Sequence, residues 1–191
     1  MNGAAPAPLA LRLGLLAFVV VFFQIGVVSE VPVFGINAEL CVLLVAFAGL
    51  MCGSLTGAAV GFAVGLFIDL ALLQTLGLTS LVFTVIGYWC GRLRELRDPQ
   101  AALTPLFVGV GASALSLVGY SLMEFMLGVD APVSFELLRE IVLGVLVNAI
   151  LALPMWALTR RTLESALPED PRRRRRRAYT TGGLSPLTKA R

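Results

Sequence analysis

Long apolar runs broken by short polar segments set the pattern of this chain. Leu9 to Val28 is apolar, with Arg12 near its start. Between Glu39 and Arg92 the one charge is Asp69. Ala101 to Leu127 is interrupted by Glu124, and Ile141 to Thr159 is the last run. A bilayer core of about 30 Å takes a helix of about 20 residues, so these runs predict transmembrane helices. The stretch from Glu39 to Arg92 would make about 78 Å of helix at about 1.5 Å per residue. That is too long for one crossing and generous for two.

The basic residues fix the number of crossings. Cytoplasmic loops carry an excess of Lys and Arg. Ser29 to Glu39 holds two Glu and no basic residue, so it is expected outside, whereas Arg92, Arg94 and Arg97 put the next polar segment inside. An odd number of crossings must join them, and three short helices fit best. Asp130 to Glu140 is acidic apart from Arg139 and reads as outside, and Arg160 and Arg161 close the last helix inside. The expected fold is therefore an all-α polytopic bundle of six helices, near 9–28, 38–53, 55–73, 76–91, 101–127 and 139–159, with both termini cytoplasmic. Fourteen of the 15 basic residues then share one side, Arg139 being the exception. The first run is longer than the usual apolar core of a signal peptide and lacks a small-residue cleavage site, so it is expected to remain as a span. Residues 1–8 read as a short cytoplasmic lead-in, 9–165 as the membrane domain, and 166–191 as a disordered basic tail.

Composition agrees with this class. Of 191 residues, 58% are hydrophobic and 14% charged, with a mean hydropathy of +0.88. Soluble domains carry about 25% charged residues, so a cytosolic enzyme, a secreted disulfide scaffold and a disordered chain are excluded. The net charge of +3 comes from a tail run, Arg172, Arg173, Arg174, Arg175, Arg176 and Arg177; without it the chain is slightly acidic. No basic face interleaved with aromatics suggests nucleic acid. The tail run, with Arg92, Arg94, Arg97, Arg160 and Arg161, is expected to set topology or meet anionic lipid, at about 1 kcal/mol per residue near the surface. Cys41, Cys52 and Cys90 are widely spaced in apolar stretches and read as buried free thiols.

The most informative stretch carries Gly53, Gly57, Gly61, Gly65 and then Asp69 at four-residue steps. Residues four apart share a helix face, so the glycines form a smooth ridge. Close approach through small residues is how helices associate in lipid. The ridge can pack another helix of the same chain or a partner subunit's helix. Asp69 costs about 2.5–3.5 kcal/mol at a bilayer centre and less near an end. It is expected either as a carboxylate capped by the turn that runs to Gly77 or as part of a polar or ligand contact. Glu124 poses the same alternatives, and Arg139 is the basic candidate to pair with either acid. Asn148, in mid-helix, is expected to hydrogen-bond across helices, and Pro154 to free a carbonyl and kink its helix. Tyr88, Trp89 and Trp156 fit interfacial positions. No metal-ligand spacing, nucleophile elbow, phosphate loop or dinucleotide fingerprint is present, so neither a cofactor nor enzymatic activity is expected.

A third helix reading G-x-x-x-G-F-x-x-G-L-x-x-D at Gly57 to Asp69, then Leu76-Gly77, then a helix closing on Gly-Tyr-Trp-Cys-Gly-Arg-Leu-Arg at 87–94, resembles the MreD family. Asn148 and Pro154 ahead of Arg160-Arg161 are similar to that family's last helix. The resemblance spans about residues 9–165 and leaves the Arg-rich tail unaccounted for. It implies a non-enzymatic scaffold of the bacterial cell-elongation machinery in the cytoplasmic membrane. Its implied partners are an MreC-like bitopic protein, a RodA-like glycosyltransferase and a class B penicillin-binding transpeptidase. The matching positions are Gly57, Gly61, Gly65, Asp69, Gly77, Gly87, Arg92, Asn148 and Pro154, none of them catalytic. The fold is also similar to that of the substrate-binding subunits of energy-coupling-factor vitamin transporters, which supply the alternative function.

Overall fold

The computed structural model describes residues 7–28, 38–73, 75–96, 103–126, 128 and 135–163. These form α1 (Ala7–Phe23), α2 (Leu40–Cys52), α3 (Ser54–Ala71), α4 (Leu78–Leu96), α5 (Thr104–Met126) and α6 (Phe135–Leu163), with a π-helical turn over Gln24–Val28 closing α1. No strand occurs among the described residues. Residues 164–191, with Arg172 to Arg177, lie outside them, as do Arg97 and residues 29–37.

The bundle is organised around α2. This helix touches each of the other five, and every residue from Cys41 to Leu50 is buried. Such a position explains its uniformly apolar sequence, which has no polar face to offer. At 13 residues it spans about 20 Å, short of a bilayer core of about 30 Å. A helix sheathed by protein need not reach both interfaces. By contrast, four stretches are long and apolar enough to cross a membrane: Leu9–Gly26, Ser54–Ala71, Thr104–Met123 and Ile141–Leu163. The chain is a polytopic helical membrane protein.

The outward faces are apolar too. Leu11, Phe22, Phe107 and Ile150 are each 70% exposed or more. Left in water, such side chains would each forgo about 1.5–3 kcal/mol of burial, so this surface is one that lipid solvates. Helix ends follow the local chemistry. Gly53, at φ +100°, makes the one-residue break between α2 and α3, and its N–H still bonds Gly49 O at 2.8 Å. Gly77, at φ +94°, turns the chain into α4. Where the sequence suggested an end at 91, α4 continues to Leu96, its arginines occupying the C-terminal turns where cations complement the exposed carbonyls. Likewise α6 starts at Phe135, ends at Leu163 and runs unbroken through Pro154.

Candidate functional site

Two constellations stand out, one built from glycines and one from polar side chains. The glycines come first. Gly57, Gly61 and Gly65 are all buried, and the ridge they form faces α4 of the same chain. A Cβ on Gly61 would lie 2.6 Å from the Phe83 carbonyl carbon, and one on Gly65 would lie 2.6 Å from Ser80 N. On Gly57 it would meet Gly49 Cα at 2.6 Å as well as the Gly87 carbonyl. The opposing helix answers with its own glycines: a Cβ on Gly87 would sit 2.5 Å from the Gly57 carbonyl carbon, and Gly91 lies against Gly53 and Ser54. Gly49, Gly57 and Gly87 thus form a node where three helix backbones meet. The seam is tied by Ser80 Oγ donating to Phe62 O at 3.2 Å, while Thr84 Oγ1 donates to Ser80 O at 2.6 Å.

At the end of this seam Asp69 is fully buried and holds the start of α4. Its Oδ2 accepts from Gly77 N at 2.9 Å and Ser80 N at 3.4 Å, and its Oδ1 accepts from Thr79 N at 3.3 Å. A helix start leaves four N–H groups without intrahelical partners, and a carboxylate is their natural acceptor because it also complements the helix dipole. Asp69 is therefore a capping carboxylate. Arg139 is exposed and does not pair with it. The Glu124 side chain lies outside the described residues.

The second constellation brackets α2. Its half-buried beginning needs acceptors, and two other helices supply them. Leu40 N donates to Gln24 Oε1 at 2.8 Å, and Gln24 Nε2 in turn donates to Ala38 O at 2.6 Å. Glu39 N donates to Asn148 Oδ1 at 2.9 Å, and Asn148 Nδ2 donates to Ser113 Oγ at 3.1 Å. One short helix is thereby pinned to α1, α5 and α6. At its far end Arg94 donates to the Met51 carbonyl, a cation set against the negative end of a helix. The sequence suggested a topology or lipid role for Arg94; in the structure it is half-buried and also bonds the end of α2.

Gln24, Glu39, Ser113, Ser116, Thr79 and Tyr120 were not singled out from sequence. The spacing of Ser113, Ser116 and Tyr120, three and four residues apart on α5, is the signal that would have found three of them. Asn148 belongs to this polar group. Pro154 stands apart from both constellations on α6, and Gly77 belongs with Asp69. Arg92, Arg160 and Arg161 lie with Arg94 at the end of the bundle opposite Asp69. Two apolar grooves complete the surface. One, of about 440 Å³, runs between α1 and α3 and is floored by Gly14, Ala17, Ala59 and Ala63. The other, of about 450 Å³, lies between α4 and α5 beside Trp89, Leu93 and Phe107.

The family model described as rod shape-determining protein MreD matches residues 9–162, a stretch that runs from the first turn of α1 into the last turn of α6. The chain belongs to the MreD family. Comparison with curated proteins and with solved structures gave no match. MreD-family proteins are integral membrane proteins that determine rod shape, associated with the MreC rod-shape complex. Among its described residues no group of three or more His, Cys, Asp or Glu side chains could hold a metal ion.

Proposed function

We propose that this MreD-family chain is a non-enzymatic membrane scaffold of the bacterial elongation complex. It binds an MreC-like bitopic protein and thereby positions a RodA-like glycosyltransferase and a class B penicillin-binding transpeptidase. The observation that carries the reading is the family match across residues 9–162. The geometry supports it in a second way. The glycine seam is spent on internal packing, so the bundle presents a preformed apolar surface that does not depend on a partner to close its core. The small-residue groove between α1 and α3 is the part of that surface where another helix backbone could approach most closely. In this reading both termini face the cytoplasm, and the Arg172–Arg177 run lies against anionic lipid.

The test is co-purification from mild detergent combined with depletion in the native host. Recovery of a bitopic partner, together with rounded cells on depletion, is the expected result. Normal cell shape with lost vitamin uptake would overturn the scaffold reading in favour of a transporter subunit.

A further inference from the structure

Helix α4 meets its two neighbours in different ways. Against α3 it packs backbone to backbone. Against α5 it is in ordinary contact where Val82 faces Gly119, and from there the two helices part. The opening is a groove of about 450 Å³, closed on its inner side by Leu50 of α2. Its walls run along α5 from Thr104 to Leu115 and along α4 from Leu93 back to Ile86. At about 1.5 Å per residue the α5 wall is about 16 Å long. The groove therefore lies along the helices and opens at the end of the bundle where α4 finishes and α5 begins.

The shape of this groove suits a hydrocarbon chain better than a helix. Trp89, Leu93, Phe107 and Leu115 line it and are 41–70% exposed, so they form its rims. Helices associate closely in lipid where small residues let backbones meet, and these bulky side chains hold a helix backbone off. Between the rims there is room: a Cβ on Gly111 would meet nothing within 4 Å. A flexible chain can lie in such a slot and gain dispersion contact along its whole length. The groove between α1 and α3, floored by Gly14, Ala17, Ala59 and Ala63, has the opposite character.

Charge then selects the headgroup. The open end of the groove is the basic end of the molecule. Arg92 is exposed and, three residues from Trp89 on α4, is its neighbour on the helix surface. Arg94 is half-buried on the same turn, with its guanidinium on the Met51 carbonyl. Thr104, on the facing wall, opens α5, a helix start that carries the positive end of the dipole. The acids whose side chains are described sit at the other end of the bundle, Asp69 at the start of α4 and Glu39 at the start of α2. We infer that the α4–α5 groove binds one anionic phospholipid. An acyl chain lies between Trp89 and Phe107, and the phosphate lies against Arg92 and the first turn of α5. This site stands independently of the scaffold reading.

The full chain in phosphatidylcholine nanodiscs tests this directly. The probe is phosphatidylglycerol brominated on its acyl chains, compared with phosphatidylcholine brominated in the same way. Bromine quenches tryptophan fluorescence on contact. The chain has two tryptophans, and Trp156 is packed edge-on against Phe47, so subtracting the signal of Trp89→Phe isolates Trp89. The expected result is saturable quenching of Trp89 that is half-complete at about fivefold less of the anionic lipid than of the zwitterionic one. Arg92→Gln brings the two lipids close to parity. Gly111→Phe fills the slot and leaves quenching that rises in proportion to brominated lipid, equally for both. Should Gly111→Phe fail to fold, Gly111→Leu carries the comparison. Equal quenching by the two lipids in the unaltered chain would overturn the site. So would an anionic preference that survives undiminished in Arg92→Gln or in Gly111→Phe. Shielding of Trp89 from both lipids in a chain that runs as a dimer would also overturn it, by giving the groove to a second copy.

Discussion

The α3–α4 seam and the two ends of α2 hold the same bundle together by opposite means. Along the seam, contact is made by removing side chains. Gly57, Gly61, Gly65 and Gly87 let backbones approach until no Cβ would fit, and dispersion over that length does the binding. At the ends of α2, contact is made by adding side chains. Gln24, Asn148 and Arg94 reach from three other helices to backbone groups that a short buried helix leaves open. The seam is tolerant of chemistry and intolerant of volume. The helix ends are the reverse: each bond needs a particular donor or acceptor, and individually each is modest. Asp69 belongs to both regions, since it continues the glycine register and also caps α4.

Volume should therefore be the largest perturbation. Gly87→Val is expected to cost about 3 kcal/mol or more, because its side chain would enter the Gly57 backbone and part α3 from α4. Reversible unfolding in mixed detergent would measure this, and a loss under about 1 kcal/mol would mean the seam is loose. Asp69→Ala comes next. Three amide N–H groups lose their acceptor at a buried helix start, at about 2–3 kcal/mol, and hydrogen exchange should quicken first at Gly77, Thr79 and Ser80. Asn148→Leu should cost about 1 kcal/mol, with a coupling to Ser113→Ala of about 0.6 kcal/mol in a double-mutant cycle. If that cycle gave no coupling, the bond from Asn148 to Ser113 would contribute nothing to holding α2. The smallest effect is a gain. Gly111→Ala, inside α5 with open space where the methyl would go, should stabilise by about 0.5 kcal/mol, a control showing that a methyl is harmful only where the backbones touch.

How much of this was legible from sequence follows from the same contrast. The seam could be read because its rule is a spacing: Gly57, Gly61, Gly65 and Asp69 recur at the helix period, and the ridge is visible before the partner helix is known. What spacing could not decide was whether that partner lay in the same chain. Only the position of Gly87 and Gly91 opposite it answers that, and nothing local to α3 encodes it. The capping reading of Asp69 was available because Gly77 lies a turn away along the chain. The pinning of α2 was not legible. Asn148 was visible as a polar residue at depth, but its acceptor role joins it to a backbone N–H 109 residues away. Gln24 gave no separate signal in its apolar run. Arg94 was legible as a topology or lipid arginine, but its bond to the Met51 carbonyl was not, because composition reports charge near a helix end without reporting which helix end it faces. The outer parts of the chain, residues 1–6 and 164–191, lie beyond the described structure, and the arginine run there rests on composition alone.

The measurement that bears most directly on the account is the unfolding free energy of Gly61→Ala in isolated protein, free of any other elongation component. A single methyl at this position meets the Phe83 carbonyl, so a ridge closed on α4 predicts a loss of about 2–3 kcal/mol with no partner present. Unchanged stability of the isolated chain, with only partner recovery falling, would show that the ridge faces another protein and that the internal seam described above is not the one the molecule uses.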